Sequence, residues 1–147
     1  MQQLTTNRLL RGLQEQHVAL IAKAGKAIEV RQDDTVIFEG RPNEYIYLVI
    51  SGAMHVVLAH GAGESGLPLA TLGDGDYFGE YSFVDSLPPN TRVVAAEPAL
   101  LLRLHHDDLN ALMHSHAEIA RAIYRNLLVD LVGRLRSSNA ELDLFLT

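Results

Sequence analysis

Residues 78–94 read FGEYSFVDSLPPNTRVV and place a helix start, a proline turn and a strand within one short stretch. Gly79 permits a tight backbone conformation, and Glu80 is a carboxylate of the kind favoured at a helix N-terminus. Pro88 and Pro89 end the helix, and the β-branched residues after them favour a strand. The stretch therefore predicts a helical turn between two strands, whose first N–H groups suit an anion.

Short segments on both sides of this stretch have the composition of β-strands. They are rich in β-branched, aromatic or leucine residues, and turn residues such as Ser51-Gly52 and Gly73-Asp74-Gly75-Asp76 separate them. The predicted strands are 27–30, 35–38, 45–50, 54–59, 67–72, 91–96 and 100–104. Seven or eight strands at this spacing predict an antiparallel barrel or jelly roll rather than a βαβ sheet.

Helical periodicity marks both ends of the chain. Apolar residues recur from Leu9 to Ala24, after the capping cluster Thr5-Thr6-Asn7, and predict an N-terminal helix within residues 1–25. Residues 105–147 predict a short helix and then, after a capping box at Ser115, a long helix of about thirty residues, ~45 Å in length. Six of its residues alternate at spacings of three and four: Leu128, Leu131, Leu135, Ser138, Leu142 and Phe145. This seam favours a homodimer, and a helix packed wholly on its own domain is the alternative.

The bulk composition limits the domain count and the chemistry. A chain of 147 residues has room for a single domain, 1–147, with its strands in residues 26–104. A formal net charge of -6 disfavours sequence-independent binding to the phosphates of nucleic acids. The absence of cysteine excludes disulfides and thiolate catalysis. We find no secretory signal or membrane-spanning run in the sequence, so we expect a cytoplasmic protein without membrane contact.

Five motifs, taken in order, resemble the cyclic nucleotide-binding domain family, including the sensor half of catabolite-activator-type regulators. They are Leu9-Leu10-Arg11-Gly12-Leu13, Ile37-Phe38-Glu39-Gly40, Tyr45-Ile46-Tyr47-Leu48-Val49-Ile50-Ser51-Gly52, Leu72-Gly73-Asp74-Gly75-Asp76-Tyr77-Phe78-Gly79-Glu80 and Asp107-Asp108-Leu109. The resemblance covers nearly the whole chain. It implies a mainly β fold, an eight-stranded antiparallel jelly roll (double-stranded β-helix) with an N-terminal helix and a long C-terminal dimerisation helix.

The resemblance also implies a ligand for the opening stretch. Residues 78–92, called the cassette below, are similar to the family's phosphate-binding cassette, whose short helix presents backbone N–H groups to a cyclic phosphate and whose glutamate takes the ribose 2'-hydroxyl. On this likeness Glu80 binds the sugar, and the implied ligand is cyclic AMP or cyclic GMP, with no tightly bound cofactor. The implied cassette ligands are Phe78, Gly79, Glu80, Tyr81, Ser82, Asn90, Thr91 and Arg92. From the residues alone, Gly79 and Glu80 also suit a simple turn and a helix-stabilising carboxylate.

The cassette departs from the family pattern at Asn90. The family places an arginine after its proline, then Ser or Thr, whereas here Pro89 precedes Asn90, Thr91 and Arg92. Asn90 donates only neutral hydrogen bonds, and losing a bond to a guanidinium costs about 1.5 to 3 kcal/mol, roughly ten- to a hundredfold in affinity. Two arrangements are compatible with the sequence. Either Arg92, two residues along a strand, reaches back to the phosphate, or it turns to solvent or a surface carboxylate and the pocket is a relic or takes a less anionic ligand.

Two polar residues of the long helix complete the expected site. In the family, residues of this helix, sometimes from the dimer partner, reach the purine, and the spacing from Leu135 gives Ser138 and Asn139 here. Ser138 occupies a seam position where an apolar residue is expected. Ser138 either contacts a ligand or sets the register of the two helices. The alternative is that the seam frays near the C-terminus and tolerates a polar residue there.

Catalytic and metal sites are not expected. The histidines lie at strand ends and helix junctions without the spacing of a metal site. Glu80 and Asp85 have no base-oriented nucleophile beside them, and Ser82 lacks a GxSxG elbow. The regulators that the chain resembles carry a helix-turn-helix after the long helix, whereas this sequence stops at Thr147, so we expect no direct nucleic acid binding.

The sequence therefore predicts a non-enzymatic, dimeric sensor or regulatory module that couples occupancy of the cassette to the C-terminal helix. It does not identify the partner protein that receives the signal. The alternative, motivated by Asn90 and the negative charge, is a degenerate, ligand-free domain of this fold that acts as a protein–protein interaction module. In that case the pocket is empty or closed by a side chain such as Tyr81.

Overall fold

Two antiparallel sheets with helices at both ends make up the part of the chain that the computed structural model describes. The described residues are 2–58 and 67–146, with side chains for 3–58 and 68–140. The strands are β1 (Lys26–Val30), β2 (Thr35–Ile37), β3 (Tyr45–Ser51), β4 (Met54–Leu58), β5 (Leu67–Leu72), β6 (Tyr77–Phe78), β7 (Arg92–Ala95) and β8 (Ala99–His105). The helices are α1 (Gln2–Thr5), the 3-10 turn Arg8–Leu10, α2 (Glu15–Ala24), α3 (Glu80–Asp85), α4 (His106–Ser115) and α5 (Ala117–Leu146).

The strand order confirms the predicted jelly roll. One sheet runs β1-β8-β3-β6 and the other β2-β7-β4-β5, and the strand pairs are antiparallel. Neighbouring strands are mostly distant in sequence, as a roll requires. The short strand β6, which the sequence did not predict, joins the edge of β3 through the pairs Tyr47 with Phe78 and Leu48 with Tyr77.

Strand β3, inside the sheet β1-β8-β3-β6, is buried on both faces. Alternate residues of a strand point to opposite faces, so Ile46 and Leu48 of β3 face the helices while Tyr47 and Val49 face the interior of the roll. The helix-side cluster also contains Leu9, Leu10, Val18, Ile21, Leu109, Ile119 and Ile123. The same alternation places Tyr77 with the helix-side cluster and Phe78 inside the roll, immediately before the cassette's helix.

The N-terminal helix differs from the prediction. A single helix from Leu9 to Ala24 is wrong: Leu9 belongs to a 3-10 turn and helix α2 begins only at Glu15. Gly12 has φ +86 between them, a left-handed conformation that interrupts a right-handed helix. The predicted cap is partly correct, since Asn7 accepts a hydrogen bond from the N–H of Leu9, but it caps the 3-10 turn.

The long C-terminal helix is confirmed, and the described side chains of its second half are exposed. Helix α4 continues through Ser115 and α5 begins at Ala117, so the predicted capping box at Ser115 is wrong; His116, with φ -132 and ψ 99, separates the two helices. Every side chain from 131 to 140 is exposed. Three seam leucines are exposed, Leu128 at 60%, Leu131 at 44% and Leu135 at 54%. The side chains of Leu142 and Phe145 lie outside the described residues.

Candidate functional site

A cavity of about 590 Å³ opens between the roll, the cassette and α5. We call it the roll cavity. Its apolar wall comes from the strands, and its polar wall from the cassette with two arginines from outside the roll, Arg8 and Arg134. The apolar lining includes Ile37, Val56, Leu69, Leu72 and Val93. Pockets for drug-sized ligands span roughly 300 to 1000 Å³, so the roll cavity has the size and mixed lining of a small-molecule site.

Gly79 is required at the start of α3 by the neighbouring strand. It adopts φ +88, and a Cβ built on it would lie 2.5 Å from the carbonyl oxygen of Tyr45 in β3. Side-chain Nδ2 of Asn43 braces the same corner by donating to the carbonyls of Tyr45 at 2.9 Å and Gly79 at 3.4 Å. The glycine therefore lets the cassette lie directly against β3, which fixes where α3 begins.

Glu80, the first residue of α3, has 12% of its side chain exposed. Its Oε2 lies 3.4 Å from Nη2 of Arg134. Burial raises the pKa of the Glu80 carboxyl and outweighs the opposing backbone hydrogen bond and the charge of Arg134. A carboxylate only accepts hydrogen bonds, so Glu80 suits a ligand with hydroxyl donors.

Arg134 of α5 reaches the cassette across the cavity wall. Its Nη1 donates to the hydroxyl of Tyr81 at 2.6 Å, and its guanidinium carbon lies 5.6 Å from the centre of the Tyr81 ring. Burial lowers its pKa, but the charge of Glu80 and the contact with Tyr81 together raise that pKa above the ordinary value. Arg134 is therefore a fixed cation at the cassette.

Arg134 is a site residue that the sequence did not predict. The spacing from Leu135 gives Ser138 and Asn139, whereas Arg134 lies one turn before Ser138 on the same helix. Residues four apart share a helix face, so a cation at that spacing from Ser138 was a usable signal.

Seven of the predicted site residues line the roll cavity together. They are Phe78, Gly79, Glu80, Tyr81, Ser82, Asn90 and Thr91. Phe78 is buried and stacks on Tyr47 with ring centres 4.9 Å apart, so it anchors the cassette to β3. The hydroxyl of Ser82 donates to the carbonyl of Leu87 at 2.8 Å, which braces the end of α3.

Arg92 is not among the residues that line the cavity. Strand β7 begins at Arg92, and its burial alternates so that Val93 and Ala95 are buried while Arg92 and Val94 are half-buried. Val93 lines the cavity, and the next side chain along a strand points to the opposite face. Asn90 lies in the bend before the strand, so it does not share a strand face with Arg92, as the sequence argument had assumed.

The two predicted helix residues lie beyond the roll cavity. Ser138 lines an adjoining space of about 1020 Å³ beside α5, and this space shares Arg8, Leu69, Tyr81 and Arg134 with the roll cavity. Asn139 is exposed and lines neither space.

Tyr81 does not close the cavity. Its side chain is 53% exposed and stands at the rim, where it holds Arg134. In the described part of the chain, no group of three or more His, Asp or Glu side chains is arranged to hold a metal ion. Among the helices of that part, none has the length and apolar character needed to cross a membrane.

A β-roll with a mainly apolar cavity that has one polar wall, closed on one side by a helical cassette and a long helix, has the architecture of a ligand-binding sensor or regulatory module. The family model described as "Cyclic nucleotide-binding domain" matches residues 27–116. The chain belongs to this family, as its motifs had indicated.

Relatives of known name agree with this assignment. The chain is 32% identical over 136 residues to the cyclic AMP receptor protein of Thermus thermophilus, covering 92% of this chain and 61% of that protein. The crystal structure of the Thermus thermophilus catabolite activator protein superimposes with a TM-score of 0.82 at 31% identity, covering 95% of this chain and 63% of that one. Glutaminase 2 of Bradyrhizobium diazoefficiens is also 32% identical over 136 residues, which are 92% of this chain and 21% of that protein. The chain spans less than two thirds of each of these proteins.

Proposed function

We propose that the chain is a dimeric sensor that binds a cyclic nucleotide in the roll cavity and converts its presence into a rearrangement of α5. The contact of Arg134 with both Glu80 and Tyr81 carries the proposal. Because this arginine belongs to α5, a ligand held by the cassette also meets the helix. Coupling of this kind requires that the ligand bind two arrangements of the helix unequally.

The groups around the cavity suit the parts of a cyclic nucleotide. Glu80 is proposed to accept from the ribose 2'-hydroxyl, and the first N–H groups of α3 with Thr91 to meet the phosphate. Asn90 offers neutral donors only, so the cation for this anion is proposed to be Arg134 rather than Arg92. Cyclic AMP is the first candidate, since it appears in the name of the Thermus relative, and cyclic GMP is the second.

The purine base of the cyclic nucleotide is proposed to lie toward the adjoining space beside α5. Ser138 lines that space and offers a hydroxyl as donor and acceptor. Asn139 is exposed next to it, where it could serve the base bound to a second copy of the chain.

The exposed face of α5 supports the homodimer. Leu128, Leu131 and Leu135 follow the spacing of a two-stranded coiled coil, and Ser138 continues it. Large apolar side chains left exposed in a row are unusual for a monomer, and a second copy would bury them.

The proposed module passes its signal to a protein partner. The net charge of -6 argues against direct nucleic acid binding, and the site contains no nucleophile with an oriented base, so we propose no enzymatic activity for this chain. A cyclic nucleotide ligand would place its action in the cytoplasm. The degenerate, ligand-free alternative is less well supported, because the roll cavity is open and Tyr81 does not fill it.

Calorimetric titration with cyclic AMP and cyclic GMP tests the proposal. Arg134→Ala should weaken binding by roughly ten- to a hundredfold, the effect of losing a charged hydrogen-bond donor. Arg136→Ala removes an exposed arginine from the same helix and should leave affinity unchanged. Arg92→Ala should also retain binding, and its loss would restore the displaced-arginine hypothesis. If neither nucleotide binds the unaltered chain at millimolar concentration, the sensor function is wrong.

A further inference from the structure

Asp130 is a buried carboxylate of α5 that joins three separate parts of the chain. Its Oδ1 accepts from Nη2 of Arg8 at 3.0 Å and from Nη2 of Arg11 at 2.8 Å. Its Oδ2 accepts from the hydroxyl of Tyr77 at 2.5 Å. Burial alone would raise the pKa of Asp130, but the hydrogen bonds of Tyr77 and Arg11 and the charge of Arg8 hold it below its ordinary value. Asp130 is therefore ionised at neutral pH, with both oxygens engaged.

Tyr77 connects this carboxylate to the cassette. Strand β6 turns Tyr77 toward the helices, while Phe78, the next residue, packs inside the roll beside the ligand cavity. Gly79 and Glu80 follow directly. Burial and then the bond to Asp130 raise the pKa of the Tyr77 hydroxyl, so it remains a donor. Any displacement between α5 and the start of the cassette must therefore change this bond.

Three polar residues on successive turns of α5 form a single stripe. Asn126 donates to the carbonyls of Leu9 at 2.7 Å and Arg11 at 3.0 Å. Asp130 follows four residues later and Arg134 four after that, so all three share one face of the helix. The first two fasten α5 to the N-terminal segment and to β6, and the third reaches Glu80.

We propose that Asp130 is a positioning residue of the nucleotide site. Through Tyr77 it sets the rotation of α5 against the cassette, and this rotation determines where Arg134 meets Glu80. Asp130 does not line the roll cavity, but it lines the adjoining space beside α5, and its partners Arg8 and Tyr77 line the roll cavity. In the proposal its effect on affinity runs through the placement of Arg134, and a double-mutant cycle separates this route from direct contact with the ligand. The expected effect on ligand affinity rests on the proposed function. The effect on the position of Arg134 does not, because that position can be measured without a ligand.

A double-mutant cycle with cyclic AMP titration tests the effect on affinity. Tyr77→Phe removes only the hydroxyl and should weaken binding by about twofold to thirtyfold, the range found for residues that act through others. In the Arg134→Ala background the same change should have no further effect, since its route to the ligand is gone. Tyr124→Phe, at a half-exposed tyrosine of α5, is the matched control and should leave the affinity for cyclic AMP unchanged.

Guanidinium NMR of the ligand-free chain tests the placement itself. The resonance of Arg134, assigned by its disappearance in Arg134→Ala, should shift in Tyr77→Phe and stay fixed in Tyr124→Phe. An unshifted resonance, or an affinity loss that adds fully to that of Arg134→Ala, would overturn the positioning role. Failure of any cyclic nucleotide to bind would remove the proposed function, while the resonance would still decide the role of Asp130.

Discussion

Replacing Asn90 by arginine is expected to tighten cyclic AMP binding by about tenfold. Residue 90 is exposed in the bend before β7 and lines the roll cavity, so the longer side chain needs no change in the core. A hydrogen bond to a charged group contributes about 1.5 to 3 kcal/mol, or roughly ten- to a hundredfold. Solvent screening at an exposed position should keep the gain near the lower limit. Arg8 and Arg134 already line the cavity, which further limits the benefit of a third cation.

Calorimetry at low and high salt, with Asn90→Gln as control, measures this gain. Glutamine lengthens the side chain without adding charge, so it should bind cyclic AMP as the unaltered chain does. The advantage of Asn90→Arg should shrink as salt rises, because the added interaction is an exposed charge pair. The unfolding free energy should change by no more than about 0.5 kcal/mol, as is usual at surface positions. Equal affinities for the arginine and glutamine variants, or a gain that salt leaves unchanged, would refute the reasoning.

Three further changes test other parts of the structure. Glu80→Gln should abolish nucleotide binding yet raise the thermal midpoint of unfolding near pH 7. Burial raises the pKa of Glu80, so the stabilising contribution of this residue is complete at acidic pH and is lost as pH rises through the folded pKa. The difference in thermal midpoint between the variant and the unaltered chain should therefore vanish in acid. Gly79→Ala should lower the unfolding free energy in denaturant titration by at least about 1 to 3 kcal/mol, since a side chain is strained at φ +88 and would collide with Tyr45. Leu131→Glu should convert a dimer to monomers in sedimentation equilibrium, whereas Ser137→Glu, which adds the same charge off the seam, should not.

The roll could be predicted from the sequence because its signals are local. Strand composition and turn residues identified seven of the strands, and Gly79 marked the start of α3. The two-residue strand β6 escaped because it has no periodicity of its own and forms only by pairing with Tyr47 and Leu48. The break after the 3-10 turn was missed because Leu9 and Leu10 are buried at helical spacing from α2 without belonging to it.

The cation of the site could not be predicted from the cassette. Arg92 could share a strand face with Asn90 only if both belonged to the strand, whereas β7 starts at Arg92 and its cavity-lining residue is Val93. The contact of Arg134 with Glu80 joins residues 54 apart in sequence. Such a contact depends on how α5 lies across the roll. Helical spacing from Ser138 indicates the face that carries Arg134, but not its partner on the cassette.

Asp130 and Arg134, two residues of the polar stripe on α5, resist displacement unequally. The buried carboxylate of Asp130 accepts three hydrogen bonds, from Arg8 at 3.0 Å, Arg11 at 2.8 Å and Tyr77 at 2.5 Å. The pair of Arg134 with Glu80 is longer, at 3.4 Å, and the arginine side chain is 48% exposed, so it is worth about 0 to 1 kcal/mol. A bound anion can therefore redirect Arg134 without releasing Asp130. Since every side chain from 131 to 140 is exposed, the described part of the helix beyond Asp130 is held to the domain mainly by the contacts of Arg134 with Glu80 and Tyr81. A ligand should thus act on α5 by turning its outer half about Asp130, which is the half that carries the dimer seam.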